Sequence, residues 1–339
     1  MTVMAPPDAI ARLARPTDAL VEQVRDWGDV VVLGAGGKMG VGIVGMLAAA
    51  FEAAGSRSRV HAVSRWRDRD AVERLHTVGA VPVVADVADP SALAELPAAD
   101  RVVFLVGAKF GTSDAPYAAW MTNTVLPAEV ARRYRDSRIV ALSTGNVYPY
   151  LPAASGGADE TVAPAPLGDY AMSCLGRERV FQHAARELGT PVAIIRLNYA
   201  CEPRYGVIAD IARAVRDGEL VDLTVGSVNV VDQRYANDIV LRALDLASAP
   251  ESVLNVAGPE IASVEWIARR LGELLDCEPV LAGEPSGAAL LSNAARCHGL
   301  FGYPELGLDR LLVQQAEWLR AGGELWSKPT KFQRTDGRF

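Results

Sequence analysis

The chain has 339 residues, half of them apolar and 22% charged, so it can bury a sizeable core and is neither disordered, fibrous nor a disulfide scaffold. Its 41 acidic residues outnumber 34 Lys and Arg, and the net charge of −7 gives no electrostatic reason to bind nucleic acid or an anionic membrane. A small-molecule partner is the remaining expectation.

Residues 1–28 read as an N-terminal helical extension. Thr17 and Asp18 offer capping side chains ahead of Leu20, Val21, Val24 and Trp27, and Gly28 stops the helix. Charges at Asp8, Arg12, Arg15, Asp18, Glu22 and Arg25 leave no clean apolar stretch for a secretory signal. The uncharged run Met39–Phe51 has 13 residues, too few to span a bilayer. Cys174, Cys201, Cys277 and Cys297 stand far apart with no CxxC pair, and the histidines show no HExxH spacing. Reduced thiols, a cytoplasmic location and no metal site are therefore expected.

The run Val30–Leu33 reads as a buried strand entering Gly34-Ala35-Gly36-Gly37-Lys38-Met39-Gly40, after which an apolar helix continues to about Gly55. Further strands are expected near Val60–Val63, Val81–Val84, Val102–Val106, Ile139–Leu142 and Val192–Ile195, with helices over Asp70–His76 and Ala115–Tyr134 between them. This alternation predicts an α/β fold, a doubly wound parallel sheet covered on both faces, because parallel strands require crossovers. Beyond Leu197 the pattern loosens, and Val228–Val231 and Val253–Val256 read as strands that could return to the sheet. The expected organisation is a dinucleotide-binding domain over 29–200, with returning segments near 226–258, a smaller substrate lobe over 201–326, and a polar, solvated tail over 327–339.

The glycine loop follows a strand and opens a helix, so its amides and the helix N-terminus form a cradle for a pyrophosphate. Gly34, Gly36, Gly37, Lys38, Met39 and Gly40 are the candidate contacts. At the end of the second strand an acidic residue would select NAD(H), whereas Ser64 and Arg65, with Arg67 nearby, suit the 2′-phosphate of NADP(H). The expectation is NADP(H), with NAD(H) possible. Asp86, after the third strand, is placed to meet the adenine.

Three features together resemble the extended short-chain dehydrogenase/reductases, which include the NAD(P)-dependent epimerases and dehydratases. These are the glycine spacing, the segment Ser143-Thr144-Gly145-Asn146-Val147-Tyr148, and Tyr170 twenty-six residues after Thr144. Asn123, Arg196-Leu197-Asn198-Tyr199 and Val253-Leu254-Asn255-Val256-Ala257-Gly258 follow in the family's order, so the resemblance covers most of residues 29–310. It implies a Rossmann-type sheet with a smaller C-terminal lobe, further coenzyme contacts at Val87, Val106, Gly107, Asn123 and Cys174, and substrate contacts at Asn146 and Asn198. A homodimer is implied by the resemblance alone.

By the same resemblance Thr144 holds the substrate oxygen and Tyr170 relays its proton, as hydride transfer at an oxygen-bearing carbon requires. The family places a lysine four residues after the tyrosine; here stands Cys174. An ammonium there would lie one helical turn from the phenol and lower its pKa. Three readings follow. Another cation compensates, Lys109 in the loop after the fourth strand or, less directly, Arg177. Alternatively the tyrosine acts as a neutral acid beside an oxidised dinucleotide, or the chain is a dinucleotide-binding regulatory or catalytically silent homologue.

Nucleotide-sugar members carry an arginine seven residues before a characteristic aspartate. With Asp238 as that aspartate, Val231 occupies the arginine's position. The expected substrate is therefore a smaller polar molecule, a sugar or sugar acid, with Arg204 and Arg234 available to pair its carboxylate.

Overall fold

The computed structural model describes residues 6–66, 69–109 and 114–338. Seven strands form one parallel sheet. Six of them are β1 (Val30–Leu33), β2 (Val60–Ser64), β3 (Val81–Val84), β4 (Arg101–Phe104), β5 (Arg138–Thr144) and β6 (Val192–Leu197), and the last is Ser252–Val256. Across the sheet the order runs Ser252–Val256, β6, β5, β4, β1, β2, β3. The order reverses between β1 and β4, and the crevice beyond the C-terminal ends of strands at such a point is where open α/β sheets take their ligands.

Alternation along each strand explains the two covered faces. Val30 and Val32 of β1 pack with Ile43, Met46 and Leu47 of the Gly40–Ala53 helix. Val31 and Leu33 pack on the other face with Phe104, Leu126 and Phe181. All four β1 residues are buried, which is why the strand is a continuous β-branched and leucine run rather than an alternating one. Phe104 meets Phe181 edge-on at 5.4 Å, locking the Gly168–Leu188 helix to the sheet.

A separate apolar cluster gathers the Val207–Arg216, Val264–Leu275 and Leu308–Arg320 helices around Ile211, Ile267, Leu271 and Leu312. The N-terminal segment docks by buried polar contacts. Arg12 makes a two-pronged pair with Asp232 at 2.6 and 3.0 Å, and Thr17 Oγ1 donates to Asp238 at 2.6 Å. Thr17 also caps the Asp18–Gln23 helix through the Leu20 amide.

Two expectations are corrected. Val253–Val256 does return to the sheet, pairing with β6, but Val228–Val231 does not. Instead Ser227–Val228 pairs antiparallel with Ala262–Ser263, and Val231–Asp232 pairs with Ala200–Cys201. The kink between these two short pieces carries the chain from one partner to the other. The tail is not simply solvated: Thr330 and Phe332 are each 3% exposed, Phe332 against the second apolar cluster. Among the described residues no helix is long and apolar enough to cross a membrane.

Candidate active site

After β1 the chain turns so sharply that glycine is required at both ends of the bend. Gly34 has φ +87°, and a Cβ there would lie 3.0 Å from the Val106 amide nitrogen. A Cβ on Gly40 would lie 2.4 Å from the Ala35 carbonyl oxygen. The bend is closed by Gly37 N–H donating to Gly34 O and Gly40 N–H to Gly37 O, and the Gly40–Ala53 helix begins there. Exposed Gly36 and Gly37 leave a concave backbone at a helix N-terminus, the donor set and shape that a dinucleotide's diphosphate fits.

The bend forms one wall of a cavity of about 380 Å³. Gly34, Gly37, Lys38, Met39, Gly40, Gly107, Lys109, Thr144, Asn146, Tyr170 and Asn198, all expected from the sequence, line it together. β1, β4, β5 and β6 each end at this crevice, so residues far apart in the chain converge without unusual backbone. Apart from the glycines, the exception is Tyr199, in the wall with φ +42°, a strained value for a side chain of that size. Tyr205, Gln233 and Thr330 also line the cavity, and no motif announced them.

Thr144, at the end of β5, accepts hydrogen bonds from the backbone and side-chain nitrogens of Asn146 at 3.2 and 2.9 Å. Its hydroxyl also hydrogen-bonds the Tyr170 phenol, and so does the Cys174 thiol. Burial pushes the phenol's pKa well above its usual 10 and neighbouring Cys174 adds to the rise, while Arg177 and the Thr144 bond oppose it. Burial raises the Cys174 thiol as well. The phenol and thiol are thus protonated at neutral pH.

Lys109 stands with its Nζ 5.7 Å from the centre of the Tyr170 ring and donates to the Thr330 carbonyl at 3.2 Å. Burial lowers its pKa to about 8. Lys38 places its Nζ 3.2 Å over the Tyr205 ring, and burial together with the charge of Lys109 lowers it to about 7. Arg177 lies beneath the site. It donates to Leu142 O at 2.6 Å and to Asn123 Oδ1 at 2.8 Å, behind Gly107.

Several expected residues sit elsewhere. Asn123, fully buried in a π-helical turn over Met121–Val125, exchanges two hydrogen bonds with the Ala108 backbone at 2.8 Å each and donates to Ser173 Oγ at 3.0 Å. It fastens the loop carrying Lys109 to the helix carrying Tyr170 and is not among the residues lining the cavity. Cys174 is buried with Val147, Tyr148 and Ala158 and does not line the cavity. Arg204 is engaged by the carboxylate of Glu202 at 3.0 Å and stacks on Trp326. Arg234 donates to the carbonyls of Arg15 and Pro16 and faces Glu305 at 3.5 Å. Neither arginine reaches the cavity, because each meets a closer acceptor first.

At the coenzyme's expected adenosine end, Ser64 lies against Gly36, and Val106 against Gly34. Val87 is buried in the core beneath β3. Exposed Arg65 faces Asp86 at 4.0 Å, and Arg67 falls outside the described residues.

A parallel sheet in this order with a glycine bend at its switch point is a Rossmann-type fold, and the hydroxyl–phenol pair across the crevice makes the cavity its candidate active site. The sequence model of the NAD dependent epimerase/dehydratase family matches residues 30–257, and the chain belongs to that family. Nothing among the curated proteins matches it. Its structure is similar to dTDP-glucose 4,6-dehydratase DesIV of Streptomyces venezuelae, solved with NAD bound (19% identity, 86% of this chain and 97% of that one, TM-score 0.73). It is also similar to UDP-glucose 4-epimerase of Thermus thermophilus in complex with NAD (18%, 86% and 99%, TM-score 0.70). The UDP-glucose 4-epimerase of Thermotoga maritima, with UDP-glucose, matches at 19% identity over 87% of this chain and 99% of that one, with a TM-score of 0.68.

Proposed function

We propose that the protein is an NAD-dependent oxidoreductase or epimerase/dehydratase acting on a small polar hydroxyl or carbonyl substrate, a sugar or sugar acid in preference to a nucleotide-sugar. The observation that carries this reading is the hydrogen-bonded Thr144–Tyr170 pair, facing the glycine bend across one cavity. Thr144 holds the substrate oxygen, and Tyr170 gives that oxygen a proton or takes one from it. When bound, the nicotinamide ring supplies the hydride exchange.

Because burial keeps Tyr170 protonated, it acts first as an acid; Arg177 is the cation that draws its pKa down, and Lys109 stands 5.7 Å from its ring as a second positive charge in place of the one Cys174 does not carry. The polar lining supports a small polar substrate, since Thr144, Asn146, Tyr170 and Asn198 face one cavity of about 380 Å³ with the glycine bend. NAD(H) replaces the NADP(H) preference drawn from Ser64 and Arg65. The carboxylate of Asp86 beside Arg65 disfavours a 2′-phosphate there, and the similar structures hold NAD.

Calorimetry with NAD, followed by single-turnover measurements on a panel of sugars and sugar acids, tests the reading. Tyr170→Phe and Thr144→Ala should retain NAD affinity and lose the nicotinamide spectral change. If NAD does not bind, the reading fails. The Cys174 thiol in place of an ammonium favours a second reading, a dinucleotide-binding regulator or silent homologue. Tight NAD binding with no spectral change on any panel member would select it.

A further inference from the structure

The charge in the cavity is one-sided. Lys38 from the glycine bend and Lys109 from the loop after β4 both line it, and among the described residues no carboxylate does. Asp210, whose charge reaches both lysines, lies outside the lining and is tied to the tail: it accepts from the Thr330 amide and hydroxyl at 2.7 and 2.6 Å. Lys328 and Lys331 approach closely enough to add to the positive potential. Two ammonium groups facing one partly enclosed space repel each other, and such an arrangement is stabilised by an anion between them.

The backbone amides of the bend and the helix N-terminus can hold the coenzyme's diphosphate without a side-chain cation, which leaves Lys38, a candidate coenzyme contact by sequence, for the substrate. The aromatic face of Tyr205 holds Lys38, and the Thr330 carbonyl holds Lys109. The two side chains are therefore directed into the cavity from different elements. With Lys109 5.7 Å from the Tyr170 ring, an anion on it lies only a few bonds from the carbon whose oxygen Thr144 and Tyr170 engage.

We propose that Lys38 and Lys109 form an anion subsite for the substrate, holding a carboxylate or phosphate monoester carried by the same small molecule whose hydroxyl or carbonyl meets Thr144 and Tyr170. The proposal rests on the NAD-dependent reading above and narrows its substrate class to anions. Arg204 and Arg234 are engaged elsewhere, so the anion is read by lysines, as a point charge.

The full chain is titrated by calorimetry at neutral pH, first with NAD and then, saturated with NAD, with D-glucuronate, D-glucose 6-phosphate and D-glucose. At least one of the two anions should bind about tenfold or more tightly than glucose, and the better one identifies carboxylate or phosphate. Lys38→Met and Lys109→Met should each remove about tenfold of that preference while changing NAD affinity by less than about threefold. Binding should also take up protons, seen as heats that depend on the buffer, because lysines titrating at about 7 and about 8 regain protons beside an anion.

If neither anion outbinds glucose, the subsite is refuted. It is refuted equally if both variants weaken NAD as much as the anion, which would assign the lysines to the coenzyme's diphosphate. Failure of NAD to bind defeats the dinucleotide reading by itself. The same three sugars titrated without NAD still decide the subsite.

Discussion

Glu178 lies at the centre of the Gly168–Leu188 helix with its side chain wholly inaccessible, paired to an Arg196 side chain that is 5% exposed. Its carboxylate accepts from Arg196 Nη2 at 2.7 Å, Arg196 Nε at 3.0 Å and Ser143 Oγ at 2.6 Å. The Arg196 Nη1 donates in turn to the Tyr148 hydroxyl, which donates to Asn255. One network therefore ties β5, β6, the last strand and the helix that carries Tyr170. Glu178→Leu would leave the guanidinium buried with only the Tyr148 oxygen, a loss of about 3–5 kcal/mol. The orphaned Ser143 hydroxyl adds about 1 kcal/mol or more. Arg196→Met should cost a similar amount. Glu178→Leu combined with Arg196→Met removes both charges and should recover much of it, giving a coupling of about 3 kcal/mol. Urea unfolding followed by circular dichroism reads the four proteins of this cycle. The reasoning is refuted if either single change costs less than about 1 kcal/mol, or if the double variant loses the sum of the two.

The contribution of Lys38 and Lys109 to stability should rise with pH between about 7 and about 10 because in the folded chain they titrate at about 7 and about 8, below the ordinary lysine value of 10.5, while the buried thiols of Cys174, Cys201 and Cys297, raised above 9, pull the other way at the top of that window. At these two lysines the unfolded chain holds more protons in that window, so the combined Lys38→Met and Lys109→Met changes should make the slope of thermal midpoint against pH less positive than in the native protein, and an unchanged slope would refute the lysines' contribution. For the coenzyme, Asp86→Asn should improve NADP(H) affinity relative to NAD(H) by removing the charge beside Arg65, and unchanged relative affinity in calorimetry would count against the electrostatic account. The expected homodimer has a candidate surface: exposed Tyr117, Met121 and Val125 fall at four-residue spacing, and exposed Met172 belongs to the adjoining Gly168–Leu188 helix. Light scattering should give twice the chain mass for the native protein and the single mass for a Met121→Asp, Met172→Asp variant, whereas a native monomer would exclude this surface.

Much of the site was legible because its signals are local. A β-branched run followed by glycines three apart marks a strand, a bend and a helix within a few residues, and Thr144 and Tyr170 fall within a motif of fixed order. The arginines were not legible in the same way. Residue type announces a cation but not its partner, although Glu202, two residues before Arg204, was a signal that could have been read. Val228–Val231 is too short for its period to say which strand it joins. Thr330 is beyond sequence reasoning for a different reason: its place in the cavity depends on Asp210, 120 residues earlier, and a polar tail gives no pattern that reaches so far.

The amide of Asn123 has a mechanical consequence for the proposed site. By gripping the Ala108 backbone with a ring of two bonds and Ser173 with one more, it ties the Lys109 loop to the first turns of the Tyr170 helix. A tie of this kind should keep cation and phenol at one spacing whichever ligand enters, so differences in rate among substrates should track how each ligand seats itself, not how far the protein has to travel to meet it.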